Sequence, residues 1–297
     1  MSRLRVRHLV MVVIAMAFLA VATNPMRGTT AVLSTRTTNG ATIANGVVHT
    51  PTSLQVSINT AGGTGITLLW TPTPTQWATG ERVYRRLGLG GAFVKVAEFA
   101  NLTTTTYSED PGTSDVYYVV RGYYANANGG NWESRDSNLV KPPVHAAAVD
   151  LVNKGLLAGK PELGDQIVLT FSERMDPSSF GACSAGGNSG ADLTLNAANP
   201  NTVMANGSHL TIGTIDLGAT GYFTIGGIAL NSTCSWNAGE TVLTITLGAV
   251  LNGGLVLAAH TATYRPDIPT PATLTIRSFL QEELETTAHP TVTKVLF

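Results

Sequence analysis

The sequence predicts an all-β protein: two tandem antiparallel β-sandwiches behind an N-terminal signal segment. Three observations predict it. Short apolar–polar alternating segments recur between His49 and Val140, with turn residues between them. A second alternating series follows Lys141-Pro142-Pro143. The composition is rich in threonine, glycine, asparagine and alanine, and only 12% of the 297 residues are charged, where about 25% is usual. Such a mixture suits strands with solvated threonine faces and glycine-rich turns.

The N-terminus comes first. Arg3, Arg5, Arg7 and His8 precede an unbroken apolar run from Leu9 to Ala22, the layout of a secretory signal over residues 1–22. Ala20-Val21-Ala22 places small residues where a signal peptidase needs them, which predicts cleavage before Thr23. The run falls short of the roughly 20 residues of a spanning helix; the alternative is an uncleaved membrane anchor. Residues 23–48 form an extended polar arm with one expected strand at Ala31–Ser34. Thr29-Thr30-Ala31-Val32-Leu33-Ser34 and its neighbours resemble the segment after the signal in exported bacterial surface and fibre proteins.

Formal charge is −1, from 18 basic and 19 acidic residues. Removing the three arginines of the signal leaves 15 against 19, or −4, so no basic field remains to hold nucleic acid or an anionic membrane. Nucleic-acid binding is excluded on this ground. Cys183 and Cys234 are the only cysteines. An even count in an exported chain reads as one disulfide, the alternative being two buried thiols. Closing a loop of about 50 residues stabilises by roughly 4 kcal/mol.

The first sandwich is expected over 49–141, with strands at Leu54–Ile58, Ile66–Trp70, Arg82–Leu87, Phe93–Glu98, Thr104–Tyr107, Val116–Arg121 and Glu133–Val140. Period two puts Ile66, Leu68 and Trp70 on one face, and Val116, Tyr118 and Val120 on another. Pro72-Thr73-Pro74 and Gly88…Gly90-Gly91 are turn punctuation. Residues 142–144 are a semi-rigid proline linker, because proline stiffens the chain and donates to no ladder. The second sandwich occupies 145–297. Its sharpest stretch is Gly164-Asp165-Gln166-Ile167-Val168-Leu169-Thr170-Phe171-Ser172-Glu173-Arg174-Met175-Asp176-Pro177, in which Ile167, Leu169 and Phe171 share a face. A Gly/Asn/Ser-rich insertion is expected over 178–207, one or two helical turns near Ile276–Glu285, and a last strand at Thr291–Phe297.

The order ITLLW…VYR…YYVV…WES…SN, carried by Ile66–Trp70, Val83–Arg85, Tyr117–Val120, Trp132–Ser134 and Ser137-Asn138, resembles a fibronectin type III domain over about 50–141. The stretch from Gly164 to Pro177, with Leu210–Ile212, Leu243–Gly248 and Thr261–Pro266, resembles the Ig-like domains of bacterial surface-layer and cell-wall proteins over about 145–297. These resemblances imply two tandem Ig-like/fibronectin type III-like sandwiches and a module for spacing and contact, without catalysis.

Chemistry-bearing residues are sparse. The histidines of the mature chain, His49, His145, His209, His260 and His289, are scattered singly, and no metal site or cofactor is implied by their spacing. Gly187-Asn188-Ser189-Gly190 resembles the serine loop of chymotrypsin-like proteases but lacks the rest of that motif. Asp165, Glu173 and Asp176 bracket one strand and are the calcium candidates; the alternative is turn-forming, solvated acids. Trp77 and Trp132, with Tyr123 and Tyr124, are the candidate ligand contacts if they share one end of the sandwich; the alternative is a lid on the core. The expected function is a non-catalytic extracellular or cell-surface structural or adhesive module. It would contact other surface proteins or cell-wall glycans and associate with itself through the 23–48 arm. The second reading is an accessory carbohydrate-binding protein of a polysaccharide-degrading system.

Overall fold

The computed structural model describes residues 46–59, 63–125, 131–183, 189–197, 200–206, 210–248, 253–266, 276–286, 289–290 and 296–297. The signal segment, the arm up to residue 45 with its strand at Ala31–Ser34, and residues 291–295 of the expected last strand lie outside the described residues. The described chain is β-structure throughout, with one 3-10 turn and no α-helix. No helix among the described residues is long and apolar enough to cross a membrane.

Seven strands build the first core: β1 (Thr52–Ile58), β2 (Ile66–Thr71), β3 (Gly80–Leu87), β4 (Val94–Phe99), β5 (Thr106–Glu109), β6 (Val116–Ala125) and β7 (Asn131–Glu133). They pair antiparallel as a three-stranded sheet, β1-β2-β5, and a four-stranded sheet, β4-β3-β6-β7. Both sheets supply the core, through Leu54, Ile66, Leu68 and Trp70 on one side and Val83, Val116, Tyr118 and Val120 on the other. Alternation in β2 and β6 is therefore read correctly from period two.

The strand expected at Glu133–Val140 is regular only to Glu133 and meets β6 again in a single antiparallel bridge between Val140 and Tyr118. The reason is local side-chain competition for the ladder. Ser134 Oγ accepts from the Gly122 N–H at 3.0 Å and Ser137 Oγ from the Val120 N–H at 2.9 Å. Hydroxyls thus take places that carbonyls hold in a regular pair. Asn138 then clasps β1 across the sandwich, accepting from the Leu54 N–H at 2.9 Å and donating to the Leu54 carbonyl at 2.8 Å.

Nine strands follow: β8 (Ala146–Val152), β9 (Gln166–Phe171), β10 (Ser189–Asn196), β11 (Thr202–Asn206), β12 (Thr211–Asp216), β13 (Ile228–Trp236), β14 (Val242–Thr246), β15 (Thr263–Arg265) and β16 (His289–Pro290). They form one antiparallel sheet in the order β16-β15-β12-β11-β10-β13-β14-β9-β8. This sheet folds over a single apolar core that includes Ile167, Leu169, Phe171, Leu193, Leu230, Ile245 and Tyr264. Its ends come together: β8 lies against β15 and β16, and Val152 bridges to Leu296.

In the second core the structure fills one stretch the sequence leaves unread and corrects one expectation. The Gly/Asn/Ser-rich stretch 178–207 carries β10 and β11, and β10 pairs with both β11 and β13 in the middle of the sheet. Near Ile276–Glu285 no helical turn forms. Arg277 and Glu283 make an antiparallel bridge, Leu284 N–H donates to the Ile276 carbonyl at 3.0 Å, and Ser278 Oγ accepts from the Leu280 and Glu282 N–H groups at 3.2 and 3.3 Å. A serine that satisfies the reversing backbone competes with the helix.

Cys183 and Cys234 are bonded, with their Cα atoms 5.9 Å apart. The bridge ties the chain after the 3-10 turn at Pro177–Phe180 to β13. Beside it Trp236 packs with Phe171 and Phe180, ring centroids 5.7 and 4.8 Å away.

Candidate functional site

Trp70 is a buried core aromatic with a polar duty. Its indole N–H donates to Glu81 Oε2 at 2.6 Å, and Glu81 Oε1 accepts from the Thr73 N–H at 2.7 Å. Glu81 is fully buried, so both carboxylate oxygens are spent inside the core. Trp70→Phe leaves one of them without its donor. It is expected to cost about 2 kcal/mol, the range for an orphaned buried acceptor, measured by urea unfolding with wild-type protein as reference. A cost within error of zero would mean that solvent reaches Glu81.

The outer face of the four-stranded sheet is a ladder of arginine, tyrosine and glutamate. Arg82, Tyr84 and Arg86 of β3 share it with Tyr117, Arg121 and Tyr123 of β6, as period two requires. The Arg82 guanidinium stands 4.1 Å from the Tyr123 ring centroid, Arg121 4.3 Å from Tyr84, and Arg86 5.2 Å from Tyr117. Arg82 also pairs with Glu98 at 2.9 Å and Glu133 at 2.6 Å; Arg121 pairs with Glu133 and Asp136 at 3.1 and 2.5 Å. This cover buries Tyr117, Val119 and Tyr123 on the side away from the core. The alternation Arg82–Tyr84–Arg86 is the signal in the sequence that could have revealed it.

Burial works against the Glu133 carboxylate, but bonds from Tyr84, Arg82 and Arg121 outweigh it and hold its pKa below the usual range. Lys95 and Arg82 do the same for Glu98. Burial and the Glu133 carboxylate push the Tyr84 phenol up to about 12. Because these carboxylates are depressed in the folded state, their stabilisation is present above the ordinary carboxylate range. It is lost as pH falls through that range, where the unfolded chain binds protons first. Melting temperature is therefore expected to fall between pH 6 and pH 3, about these groups' ordinary values near 4, and to fall less in Glu133→Gln. An equal fall in that variant would remove Glu133 from the effect.

The four aromatic candidates divide. Tyr124 and Trp132 face each other across β6 and β7 with rings 5.4 Å apart and tilted by 31°. Tyr123 is buried beneath Arg82 on the opposite face and is not part of that pair. Trp77 lies three residues before Gly80, the partner of Tyr123, and therefore stands at the same end of the sandwich. Its backbone takes φ +64° and its ring lies against Gly46.

The structure does not bring the calcium candidates Asp165, Glu173 and Asp176 together. No group of three or more metal-ligating side chains is present among the described residues. Asp165 and Glu173 flank opposite ends of β9 (Gln166–Phe171), a strand about 20 Å long. Asp165 accepts from the N–H groups of Lys154, Gly155 and Glu162 at 2.7, 2.8 and 2.7 Å. Asp176 caps the 3-10 turn, accepting from the Ser178 N–H at 3.0 Å. Turn and cap chemistry claims these acids.

Glu173 belongs to a cluster that the sequence did not reveal, at the meeting of the two cores. Lys141 Nζ lies 2.6 Å from Glu173 and 3.5 Å from Asp115, and also pairs with Glu282. The lysine side chain is 10% exposed and Glu173 6%. Asp115 precedes β6 of the first core; Glu173 and Glu282 come from the second. Burial raises the Glu173 pKa, against the pull of Lys141. Around this cluster the Gly63 N–H donates to the Ala147 carbonyl at 2.6 Å, and His145 stands between the carbonyls of Pro143 and Gly63 at 2.9 and 3.2 Å. A shallow groove lined by Thr64, Ile66, Val116, Lys141, His145 and Glu173 runs along it.

No family model and no curated protein matches the chain. Among solved structures, 32% of the chain is similar to 91% of an Fn3-like protein from Clostridium thermocellum, at 24% identity and a TM-score of 0.26. A two-domain fibronectin type III segment of chicken tenascin is matched over its full length (100%) by 82% of the chain, at 11% identity and a TM-score of 0.31. Likenesses this weak fix no family for the chain. The three-plus-four sandwich rests on its own strand pairing.

Proposed function

We propose that the chain is a non-catalytic, extracellular structural or adhesive protein, a spacer of two β modules divided at the 142–144 linker. The observation that carries this reading is the use made of its buried acids. Glu81 serves Trp70 and Thr73, Asp165 serves three backbone N–H groups, and Glu173 serves the lysine that joins the cores. Acids tied to donors in this way hold shape and are poor proton shuttles. The disulfide accords with export through the 1–22 segment. Surface proteins and extracellular glycans are the proposed partners, with self-association through the 23–48 arm. Negative-stain microscopy of the mature secreted protein tests the reading: ordered assemblies, or a decorated cell surface, are expected. Turnover of a glycoside, ester or peptide that one point substitution abolishes would overturn it.

A second reading, accessory glycan binding, is favoured by the Tyr124–Trp132 pair with Trp77 at the same end. Affinity electrophoresis in polysaccharide gels tests it. Retardation that Trp132→Ala abolishes is expected; migration indifferent to polysaccharide sinks it.

A further inference from the structure

The chain carries three Asn-x-Ser/Thr tripeptides: Asn101-Leu102-Thr103, Asn206-Gly207-Ser208 and Asn231-Ser232-Thr233. In an exported protein this tripeptide can accept a sugar on the asparagine amide. A chain rich in asparagine and threonine holds such tripeptides by chance, and the fold separates them. Asn231 lies inside β13 with its backbone paired to Asp192 of β10. Ser232 beside it is buried, its hydroxyl taken up by the Gly248 N–H. The Asn206 tripeptide runs out of the described residues at Gly207. Asn101 stands differently.

It sits in the connection between β4 and β5, and both Asn101 and Thr103 are exposed. Asn101 Oδ1 accepts from the Thr103 N–H, the Thr103 hydroxyl and the Thr104 N–H at 3.0, 3.0 and 2.8 Å. The oxygen is thereby occupied, while the amide nitrogen Nδ2 has no partner among the described residues. An amide nitrogen is a poor nucleophile, because its lone pair is shared with the carbonyl oxygen. It attacks as it gives up a proton, and the charge then gathers on Oδ1. Donors already fixed on that oxygen stabilise the charge where it develops. The third residue of the tripeptide supplies the hydroxyl donor here.

We propose that Asn101 is an N-linked glycosylation site, modified from a polyprenyl-pyrophosphate-linked oligosaccharide by a transferase of the export route. Nδ2 bonds to C1 of the first sugar as the C1–O bond to pyrophosphate breaks. Polyprenyl pyrophosphate leaves with that electron pair, and the Nδ2 proton passes to a base of the transferase. The inference rests on the extracellular reading above, because only an exported chain meets such a transferase. The position also gives the sugar a use. β4 and β5 are outer strands of their two sheets, and an outer strand presents unpaired N–H and C=O groups. A bulky, solvated glycan rooted in the connection between them keeps other strands from both edges.

The test is peptide mapping by mass spectrometry of protein recovered from outside its own cells, with Thr103→Ala and Thr103→Ser variants beside the wild type. The wild-type peptide holding Asn101 is expected to carry sugar, with fragment ions that place it on residue 101. Thr103→Ala, which removes the hydroxyl and keeps the asparagine, should lose the sugar; Thr103→Ser should retain it. Thr103 is at the surface, and a wild-type circular dichroism spectrum verifies that both variants fold. Secreted protein with a bare Asn101 overturns the proposal and leaves the extracellular reading standing. Sugar placed on Thr103 or Thr104 instead, or occupancy indifferent to Thr103→Ala, overturns it too. Protein found only in the cytoplasm overturns both.

Discussion

Removing the Cys183–Cys234 bond with a Cys183→Ala/Cys234→Ala double variant is expected to lower the unfolding free energy of the second core by about 4 kcal/mol. That is the chain-entropy value for a closed loop of this size, whose ends are 51 residues apart. Both cysteines are buried in the core, so alanine adds a small packing loss in the same direction. Guanidinium unfolding followed by Trp236 fluorescence measures the change, because that indole sits two residues from Cys234. The first core, which contains neither cysteine, should unfold at its original midpoint. A change below about 1 kcal/mol would mean that the unfolded chain is already compact around this loop.

Lys141→Met is expected to cost about 3 kcal/mol at pH 7. It leaves Glu173 buried without its cation, the situation in which breaking a buried pair is expensive. The pH dependence separates this from lost packing. The folded pKa of Glu173 is raised above its ordinary value, so its favourable contribution is complete below the unfolded pKa and is lost as pH rises through the folded one. Without Lys141 that loss grows. The deficit of the variant should therefore be larger at pH 7 than at about pH 4, the ordinary carboxylate range. Urea unfolding at both pH values reads it, and a deficit independent of pH would overturn the assignment. Small-angle scattering should also show a broader spread of molecular lengths, because Lys141 joins Asp115 of one core to Glu173 and Glu282 of the other.

Where one face of a strand is apolar and the other polar, the strand was legible. Ile66–Leu68–Trp70 and Ile167–Leu169–Phe171 are buried as period two demands. The strands that escaped are the mixed ones. β10 alternates through Ala191, Leu193 and Leu195, all buried, but glycine, serine and asparagine on either side mask it. β13 alternates Leu230, Ser232, Cys234 and Trp236, and the buried Ser232 breaks the apolar count because its hydroxyl accepts from the Gly248 N–H at 3.2 Å. Of the candidate site, only the Tyr124–Trp132 contact follows from strand pairing. The Lys141 cluster had no local signal, since Glu282 is 141 residues away in sequence. Glu81 reads as a surface acid until Trp70 is seen to donate to it.

The way the nine-stranded sheet comes round on itself also decides where outside strands can join. With β8 lying against β15 and β16 and Val152 bridged to Leu296, the second core turns its rims toward each other. A rim so engaged is less open to a neighbouring chain than a bare edge strand. The first core ends instead in β1 and β5 on one sheet and β4 and the three-residue β7 on the other. Strand exchange between copies, whether as ordered polymerisation or as unwanted amyloid-like zipping, is thereby directed to the N-terminal half. The C-terminal half, its rims turned together, is the less open of the two to such exchange.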